Sequence, residues 1–339
     1  MNKVTLLGVD LAKNVFQLHG ADEKGNPVLK KRLTREKFIE FILHLPPCTI
    51  AMEACSGANY WCRKFKKFGH ETKLINPKFV KPFVKTNKND RNDSEAICEA
   101  ASRPTMRYVS PKTVEQEDIQ ALHRVRSRLI QERTALINQI RGLLAEYGII
   151  VAQGITKIRK ALPEILEDAE NELTHASRRL FANLYEEIDE KDKKIKEYDL
   201  KLQEIFRTNE SCKKISEIEG VGVITATAIL AAIGDAKVFK NGRHFSAFLG
   251  LVPKQSSSGN KQILLGISKR GDTYIRSLLI HGARNVVRYV GCKEDRKSKW
   301  IKELKERRGA NRTAVAVANK NARVIWALLA KNETYREAV

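Results

Sequence analysis

Two short apolar runs that each end in an acidic residue are the feature that most limits how this chain can fold. The first run covers residues 4–10 and ends at Asp10, and the second covers residues 48–53 and ends at Glu53. Both runs have the length and apolar content of a buried β-strand. One acid at a strand end is usually a turn or capping residue, but the same pattern twice favours a shared role for Asp10 and Glu53.

The segments around these runs predict an alternation of strands and helices. Further strands are predicted at residues 14–19, 28–33 and 71–75, and helices at residues 34–45 and 57–68, near 80 and after 93. The order of three strands, helix, strand, helix, strand and helix is that of the RNase H/RuvC-like nuclease fold. We therefore expect residues 1–110 to form an α/β domain of this type.

Two more acids, Asp90 and Asp93, are spaced three apart where a basic loop turns into a helix, so their side chains share one helix face. Taken alone, this stretch is typical of a helix cap and a solvated acid in a lysine-rich loop. In an RuvC-like fold, however, the helix packs toward Asp10 and Glu53. Four converging carboxylates repel one another unless a cation lies between them, and hard oxygen ligands suit Mg²⁺ or Mn²⁺. Two such ions can hold the attacking and leaving oxygens of a phosphodiester.

Charge indicates the class of partner. The 339 residues include 62 Lys and Arg against 40 Asp and Glu, a net charge of +22, and the excess is concentrated in residues 240–339. Such a surplus favours DNA or RNA as a partner. No apolar run reaches the roughly 18 residues of a membrane span, so we expect no membrane association. Six cysteines without a C-x-x-C pair or zinc spacing are typical of a reducing cytoplasm.

Residues 111–210 have the pattern of a helical arm. Leucines recur every seven residues from Leu122 to Leu143, and a second seam from Leu184 to Ile205 is interrupted only by Lys191. The pattern is compatible with two helices of an ordinary bundle and with a coiled coil for dimerisation. Either structure makes this region a spacer or assembly arm.

Residues 211–339 are predicted to be mainly α-helical and to end in a basic tail, residues 293–329, which either presents a solvated basic face or contacts the DNA backbone. Gly220 and Gly222 lie in an apolar-Gly-x-Gly turn before an Ala-rich helix. In a helix-hairpin-helix such a turn aims backbone N–H groups at a DNA phosphate, whereas in an ordinary protein it is a tight helix–helix turn. A Ser-Ser-Ser-Gly segment at residues 256–259 reads by itself as a flexible turn. Because no histidine lies near it in the sequence, a hydrolase-type serine is not favoured, but metal-assisted phosphoryl transfer needs only cations around the reacting phosphate.

The acidic motifs resemble one known family. Residues 8–13, 52–57, 76–77 and 87–93 are similar to the N-terminal domain of the DEDD transposases, insertion-sequence recombinases related to the Piv-type site-specific invertases. The resemblance implies metal ligation by the four acids. The usual Lys-Thr-Asp before the third acid reads Lys-Asn-Asp here, which changes a neighbour of the ligand and not the ligand.

The last third resembles the C-terminal serine transposase domain of the same family, in its Gly-Leu-x-Pro, Ser-Gly and Lys-Arg-Gly order. By position, the resemblance implies that Ser258 is the nucleophile that forms a phosphoserine link to DNA. Ser256 and Ser257 are close enough that the assignment stays open among the three serines. The candidate nucleic-acid-binding residues are Lys13, Gly220, Gly222, Lys254, Lys261, Lys269, Arg270 and Arg276.

The family resemblance implies a transposase that cuts and rejoins DNA, works as a dimer or tetramer, and is guided by a structured non-coding RNA of its own element, a bridge RNA. One alternative is a metal-dependent nuclease or junction resolvase that uses water as the nucleophile. A second is a non-catalytic DNA-binding protein whose acids are structural, and a third is an inactive relic of a transposase. The four carboxylates argue against the second alternative.

Overall fold

The computed structural model describes residues 3–85, 90–259 and 261–336, without the side chains of Asp90, Arg91 and Cys292. Part of the predicted motif at residues 87–93 therefore lies outside the described residues. The chain divides into two compact units. The first consists of Met1–Val114 with Ile233–Val238, and the second of Glu115–Ala232 with Phe239–Val339. The three-part division expected from the sequence remains a prediction.

The first unit contains a mixed six-stranded sheet. Its strands are β1 (Leu6–Asp10), β2 (Val15–Ala21), β3 (Pro27–Thr34), β4 (Thr49–Glu53), β5 (Glu71–Ile75) and β6 (Tyr108–Val109). Its α-helices are α1 (Arg35–His44), α2 (Ala58–Lys67), α3 (Pro77–Val80) and α4 (Asp90–Ser102). The strand order is β3-β2-β1-β4-β5-β6, with β1, β4 and β5 parallel and the remaining pairs antiparallel. The order of elements through α4 agrees with the sequence prediction, whereas β6 was not predicted.

Alternation along β1 divides the core between the two faces of the sheet. Leu7 and Val9 are fully buried and pack with Phe38 of α1 and Trp61 of α2. Leu6 belongs to the cluster on the opposite face, which is formed mainly by α4. Each face thus has its own helical layer, and α4 covers the face that includes the even-numbered residues of β1.

The second unit is mostly helical, as the sequence predicts. Its helices are α5 (Val114–Ala145), α6 (Ile155–Glu167), α7 (His175–Thr208), α8 (Glu210–Ser216), α9 (Val223–Ala232), α10 (Gly242–Phe248), α11 (Thr273–Tyr289), α12 (Arg296–Arg308) and α13 (Ala310–Ala330). A two-stranded antiparallel hairpin of β7 (Pro253–Ser258) and β8 (Lys261–Ile267) interrupts them. Across the described ranges, none of the helices combines the length and apolar character that crossing a membrane requires.

The two long helices α5 and α7 pair with each other in antiparallel orientation within one chain. Arg126 of α5 contacts Asp199 of α7 at 2.5 Å. Further toward the C-terminal end of α5, Arg133 contacts Asp192, which lies closer to the N-terminal end of α7. The leucine seam of the sequence faces this pairing, where Leu136 of α5 packs in the same buried cluster as residues of α6 and α7. These contacts account for the seam by intrachain packing, and its role in assembly remains a prediction.

A directional hydrogen-bond chain joins α5, α9 and α11. The Thr227 hydroxyl donates to the carbonyl oxygen of Val223 at 2.8 Å, so its oxygen accepts from Nε2–H of His123 at 3.0 Å. Nδ1 of His123 then accepts from the Tyr274 hydroxyl at 3.1 Å. Burial, followed by the nearby charge of Arg126, lowers the pKa of His123 to about 4. The imidazole is therefore neutral at physiological pH, as this chain of donors requires.

Candidate functional site

The carboxyl ends of β1 and β4 lie side by side. In the parallel register Gly8 pairs with Ala51 and Val9 with Met52, so Asp10 and Glu53 occupy neighbouring strand ends. Asp10 lies on the same face as Gly8, and Glu53 on the same face as Ala51, because side chains alternate along a strand. Ala51 packs in the cluster formed by α4, so both acids belong to the face that α4 covers. The structure thus brings together the two acids that the sequence singled out.

Helix α4 rests directly on β1, and a glycine makes this possible. A Cβ atom on Gly8 would lie 2.7 Å from the backbone nitrogen of Cys98 and still closer to the carbonyl oxygen of Ser94. Asp93 directly precedes Ser94, so the close approach at Gly8 sets the position of this third acid relative to Asp10. Asp10, Glu53 and Asp93 are all partly exposed.

Cys55 lies just beyond β4, where the strand-end acids act on its thiol. Burial raises the pKa of the Cys55 thiol, and the charges of Glu53 and Asp10 raise it further. Both carboxylates therefore act on one thiol just beyond β4. Because the pKa is raised, Cys55 stays protonated and is not an activated nucleophile.

The serine segment forms the tip of the β7–β8 hairpin rather than the flexible turn that its composition suggests. Ser258 pairs with Lys261 in the antiparallel register, and Gly259 after it has a φ of +55°. Ser257 points to the opposite side of the strand from Ser258, and its hydroxyl accepts from the Gln255 side chain at 3.0 Å. All three serines are exposed. The short polar segment was misread because cross-strand pairing depends on β8, which the sequence analysis did not identify.

Two interlocked glycines hold the base of this hairpin. Gly250 and Gly271 both have positive φ, +73° and +79°. A Cβ on Gly250 would lie 2.5 Å from the backbone nitrogen of Arg270, and a Cβ on Gly271 would collide with the carbonyl oxygen of Phe248. The backbone N–H of Lys269 donates to the Gly250 carbonyl at 3.1 Å. The Gly-Leu-x-Pro and Lys-Arg-Gly motifs thus meet at one backbone clasp.

Comparison with known proteins identifies the family. Residues 7–149 match a DEDD-type transposase model of the IS110 group, and residues 212–300 match the model described as the transposase IS116/IS110/IS902 family. The chain is 51% identical over 336 residues to the transposase for insertion sequence element IS1111A of Coxiella burnetii, covering 99% of this chain and 92% of that relative. The chain belongs to the IS110/IS116 family of DEDD transposases. Its enzyme class is therefore that of a DNA transposase.

Two further relatives show how wide the similarity is. The transposase for insertion sequence element IS1328 of Yersinia enterocolitica is 40% identical over 337 residues, with 99% of each chain covered. The pilin gene-inverting protein of Moraxella bovis is 21% identical over 361 residues, covering 99% of this chain and 98% of that relative. The resemblance to invertases expected from the sequence is thus matched by an alignment over almost the whole transposase.

A DEDD-type domain implies a divalent metal ion, and carboxylate oxygens at the ends of β1 and β4 are the donors that a hard cation prefers. Within the side chains that the structure describes, no three His, Cys, Asp or Glu residues are close enough together to hold a metal. The side chain of Asp90 is outside that set. Asp10, Glu53 and Asp93 therefore share one face of the sheet without forming a compact metal-binding group among the described residues.

Arg276 of the transposase has a structural role that the sequence analysis missed. Its side chain is buried, and its guanidinium donates to the carbonyl oxygens of Arg270 at 2.9 Å and Leu249 at 3.2 Å, and to the Thr273 hydroxyl at 3.0 Å. These acceptors belong to the loops of the glycine clasp and to the helix that follows it. The protein's own carbonyl and hydroxyl groups thus occupy both terminal nitrogens of this guanidinium, and the expected phosphate contact stays a prediction.

The other predicted nucleic-acid contacts differ in accessibility. Gly220 packs against Gly282 of α11, where a Cβ on Gly220 would lie 2.9 Å from the Gly282 backbone, so the turn is a tight helix–helix contact at this residue. Gly222 is exposed, with open space around its Cα. The predicted lysine and arginine contacts that are exposed are Lys13, Lys254, Lys261, Lys269 and Arg270.

Proposed function

We propose that this transposase cuts and rejoins DNA with two groups of residues, the acids Asp10, Glu53, Asp90 and Asp93 and the nucleophile Ser258. The observation that carries the proposal is the placement of two acids at adjacent parallel strand ends, under a helix that Gly8 allows to approach closely. Acids in such positions repel one another in the free protein and are stabilised by a cation. An RuvC-like assignment of this sheet is supported by the meander of β1–β3 followed by parallel β4 and β5.

The four acids would hold Mg²⁺ or Mn²⁺. When bound, such an ion polarises the scissile phosphate and stabilises the leaving oxygen. The chain's own contribution is to fix the ligands. Asp10 and Glu53 are held by the strand register, and Asp93 is held by the packing of α4 on β1.

Ser258 would attack the phosphorus of a DNA phosphodiester. A bond from its Oγ to phosphorus forms, the bond from phosphorus to a deoxyribose oxygen breaks, and the serine proton leaves to water at the exposed hairpin tip. The leaving deoxyribose oxygen takes a proton from water, so the freed strand end carries a hydroxyl, and rejoining is the reverse attack by a DNA hydroxyl on the phosphoserine. The number of phosphoester bonds is conserved, so no high-energy cofactor is consumed. Exposure of Ser258 supports this role, since a DNA backbone can reach it.

We also propose that the transposase binds DNA and a guide RNA and acts as a dimer or tetramer. The net charge of +22 supports binding of polyanions, because each neutralised phosphate releases counterions. Lys254, Lys261, Lys269 and Arg270 surround the serine hairpin and its base, where a bound phosphate needs cations. Sequencing of RNA recovered with the purified protein tests the guide. A transposase that is active after nuclease treatment, with no recovered RNA, would contradict it.

The decisive experiment is a search for a covalent protein–DNA adduct. The substrate is an element-end DNA with a nick that blocks rejoining, incubated with Mg²⁺ and any RNA that copurifies. We expect an adduct with the unaltered chain and with Ser257→Ala, whose hydroxyl lies on the other side of the strand, and none with Ser258→Ala or Asp10→Ala. Cleavage without an adduct that persists in Ser258→Ala would refute the serine mechanism and favour a nuclease that uses water.

A further inference from the structure

Helices α12 and α13 bring several cations together around a half-buried lysine. The ammonium of Lys320 lies over the ring of Trp300, 4.8 Å from its centroid. The charges of Lys297, Arg323 and Arg296 act on it with the same sign, and the charge of Asp295 opposes them. Burial lowers the pKa of Lys320, and the three neighbouring cations lower it further. The protein thus holds like charges close together at this place.

Two described acids near this cluster, Glu219 and Asp295, are already engaged. Glu219 binds Lys293 and also Lys297, the latter at 3.1 Å. Asp295 caps α12, because its carboxylate accepts from the backbone N–H of Ser298 at 3.0 Å and from the Ser298 hydroxyl. Over the described ranges of the chain, neither Lys320 nor Arg323 has an ion-pair partner. An anion from outside the protein would offset the repulsion among these cations.

A groove runs along α13 from these cations. Its volume is about 790 Å³, which is within the range of ligand-binding sites. Lys320 and Arg323 line one part of it, and the segment after α13 adds Arg336 and polar groups. Among the described residues of the lining, the acid Glu333 pairs with Lys331, its carboxylate oxygen lying 3.4 Å from the ammonium nitrogen. The groove is consequently basic and is larger than a single phosphate ion requires.

We propose that this groove binds the phosphodiester backbone of a nucleic acid, with Lys320 and Arg323 contacting its phosphates. The two residues lie three apart on α13, so their side chains share a helix face and can reach neighbouring phosphates along one strand. The ring face of Trp300 contacts the ammonium of Lys320 in a cation–π interaction and holds it in place. The inference rests on the proposed binding of nucleic acid, but the groove shares no residue with the acids or with Ser258, and its test is a binding measurement that does not depend on cleavage.

The test compares two double variants of the full chain, each of which loses two positive charges. Lys320→Gln with Arg323→Gln removes the groove cations, and Lys299→Gln with Arg312→Gln removes an exposed lysine and an exposed arginine elsewhere on these helices. Binding of a labelled DNA duplex and a labelled RNA strand is measured by anisotropy between 50 and 300 mM salt, which spans roughly the range where phosphate contacts are lost. Circular dichroism and melting confirm that both variants fold.

We expect the groove variant to bind at least one of the two nucleic acids about tenfold or more weakly. The slope of log K against log salt should also become shallower, by the amount expected for the loss of about two phosphate contacts. The control variant should keep most of its affinity and most of its salt dependence. Equal losses in the two variants would show that only net charge matters and would overturn the proposal.

The fluorescence of Trp300 separates a backbone site from a site for free phosphate. Nucleic acid should change the fluorescence of the unaltered chain, and Trp300→Phe should lose this change. Inorganic phosphate at millimolar concentration should compete only weakly. If inorganic phosphate alone gives the full change, and nucleic acid binds the groove variant normally, the site is one for a free anion and the proposal is wrong.

Discussion

Gly8→Ala tests whether the packing of α4 on β1 positions the acids. The new Cβ would lie 2.7 Å from the backbone nitrogen and 2.8 Å from the Cβ of Cys98, and closer still to the Ser94 carbonyl oxygen. Comfortable contacts between such atoms begin at about 3.5 Å, so α4 must move by roughly 1 Å. Because the atoms in the way belong mostly to the backbone, no flexible side chain can absorb the change. We expect a loss of about 1–3 kcal/mol in the free energy of unfolding.

The same shift should affect activity more than stability. Asp93 moves with α4, whereas Asp10 and Glu53 stay on the sheet, and a displacement of about 1 Å in a catalytic group can cost about 100-fold in rate. The assay is guanidinium unfolding followed by circular dichroism, together with strand cleavage of element-end DNA.

Gly142→Ala is the matched control, because Gly142 lies within α5 with nothing within 4 Å of its new Cβ. The free energy of unfolding of this variant should rise by about 0.5–1 kcal/mol, and its cleavage activity should be unchanged. A Gly8→Ala variant with unchanged stability and cleavage would refute the role assigned to this contact.

Three other perturbations probe the second unit and the backbone. Gly271→Ala should destabilise the protein by about 1–3 kcal/mol more than Gly69→Ala, since both glycines have positive φ but only Gly271 has a carbonyl in the way; equal losses in thermal unfolding would contradict the clasp. Because folding lowers the pKa of His123 from 6.5 to about 4, the unfolded chain binds a proton in that window that the folded chain does not. The contribution of His123 to the free energy of unfolding should therefore be fully present above about pH 6.5 and should fall by about 3 kcal/mol toward pH 4. A His123→Gln variant whose free energy of unfolding falls just as far over this range would refute the prediction. Asp192→Asn removes the negative charge that two arginines share and replaces one of its two acceptor oxygens with a donor NH2, so it should cost about 1–3 kcal/mol. The exposed Glu190→Gln should stay within about 0.5 kcal/mol, and similar values for both variants would contradict the arm contacts.

The fold of the first unit was predictable because its signals are local. An apolar run that ends in an acid, as at Asp10 and again at Glu53, reports burial and a strand end within a few residues. The heptad spacing of the arm likewise reported two long helices. By contrast, β6 has only two residues and pairs with β5 through a distant segment, so no local pattern marks it.

The candidate site was only partly predictable for a related reason. A residue type indicates what chemistry is possible, but its burial and partners depend on contacts distant in the sequence. Arg276 has the composition of a phosphate contact, yet it is buried against loop carbonyls. The basic tail was predicted to contact DNA, but the cluster at Lys320 was not, because its cations come from two helices whose packing the sequence does not show.

The sequence by itself determined the class of this protein: which residues are acids at strand ends, which are basic, and which motifs it shares with DEDD transposases. Hydrophobic periodicity and residue chemistry carry that information in short windows. Only the tertiary structure decided which of these residues meet, from the approach of α4 at Gly8 to the clasp of Gly250 and Gly271. The physical reason is that backbone packing within a few ångströms depends on long-range register, which no single segment of the chain contains.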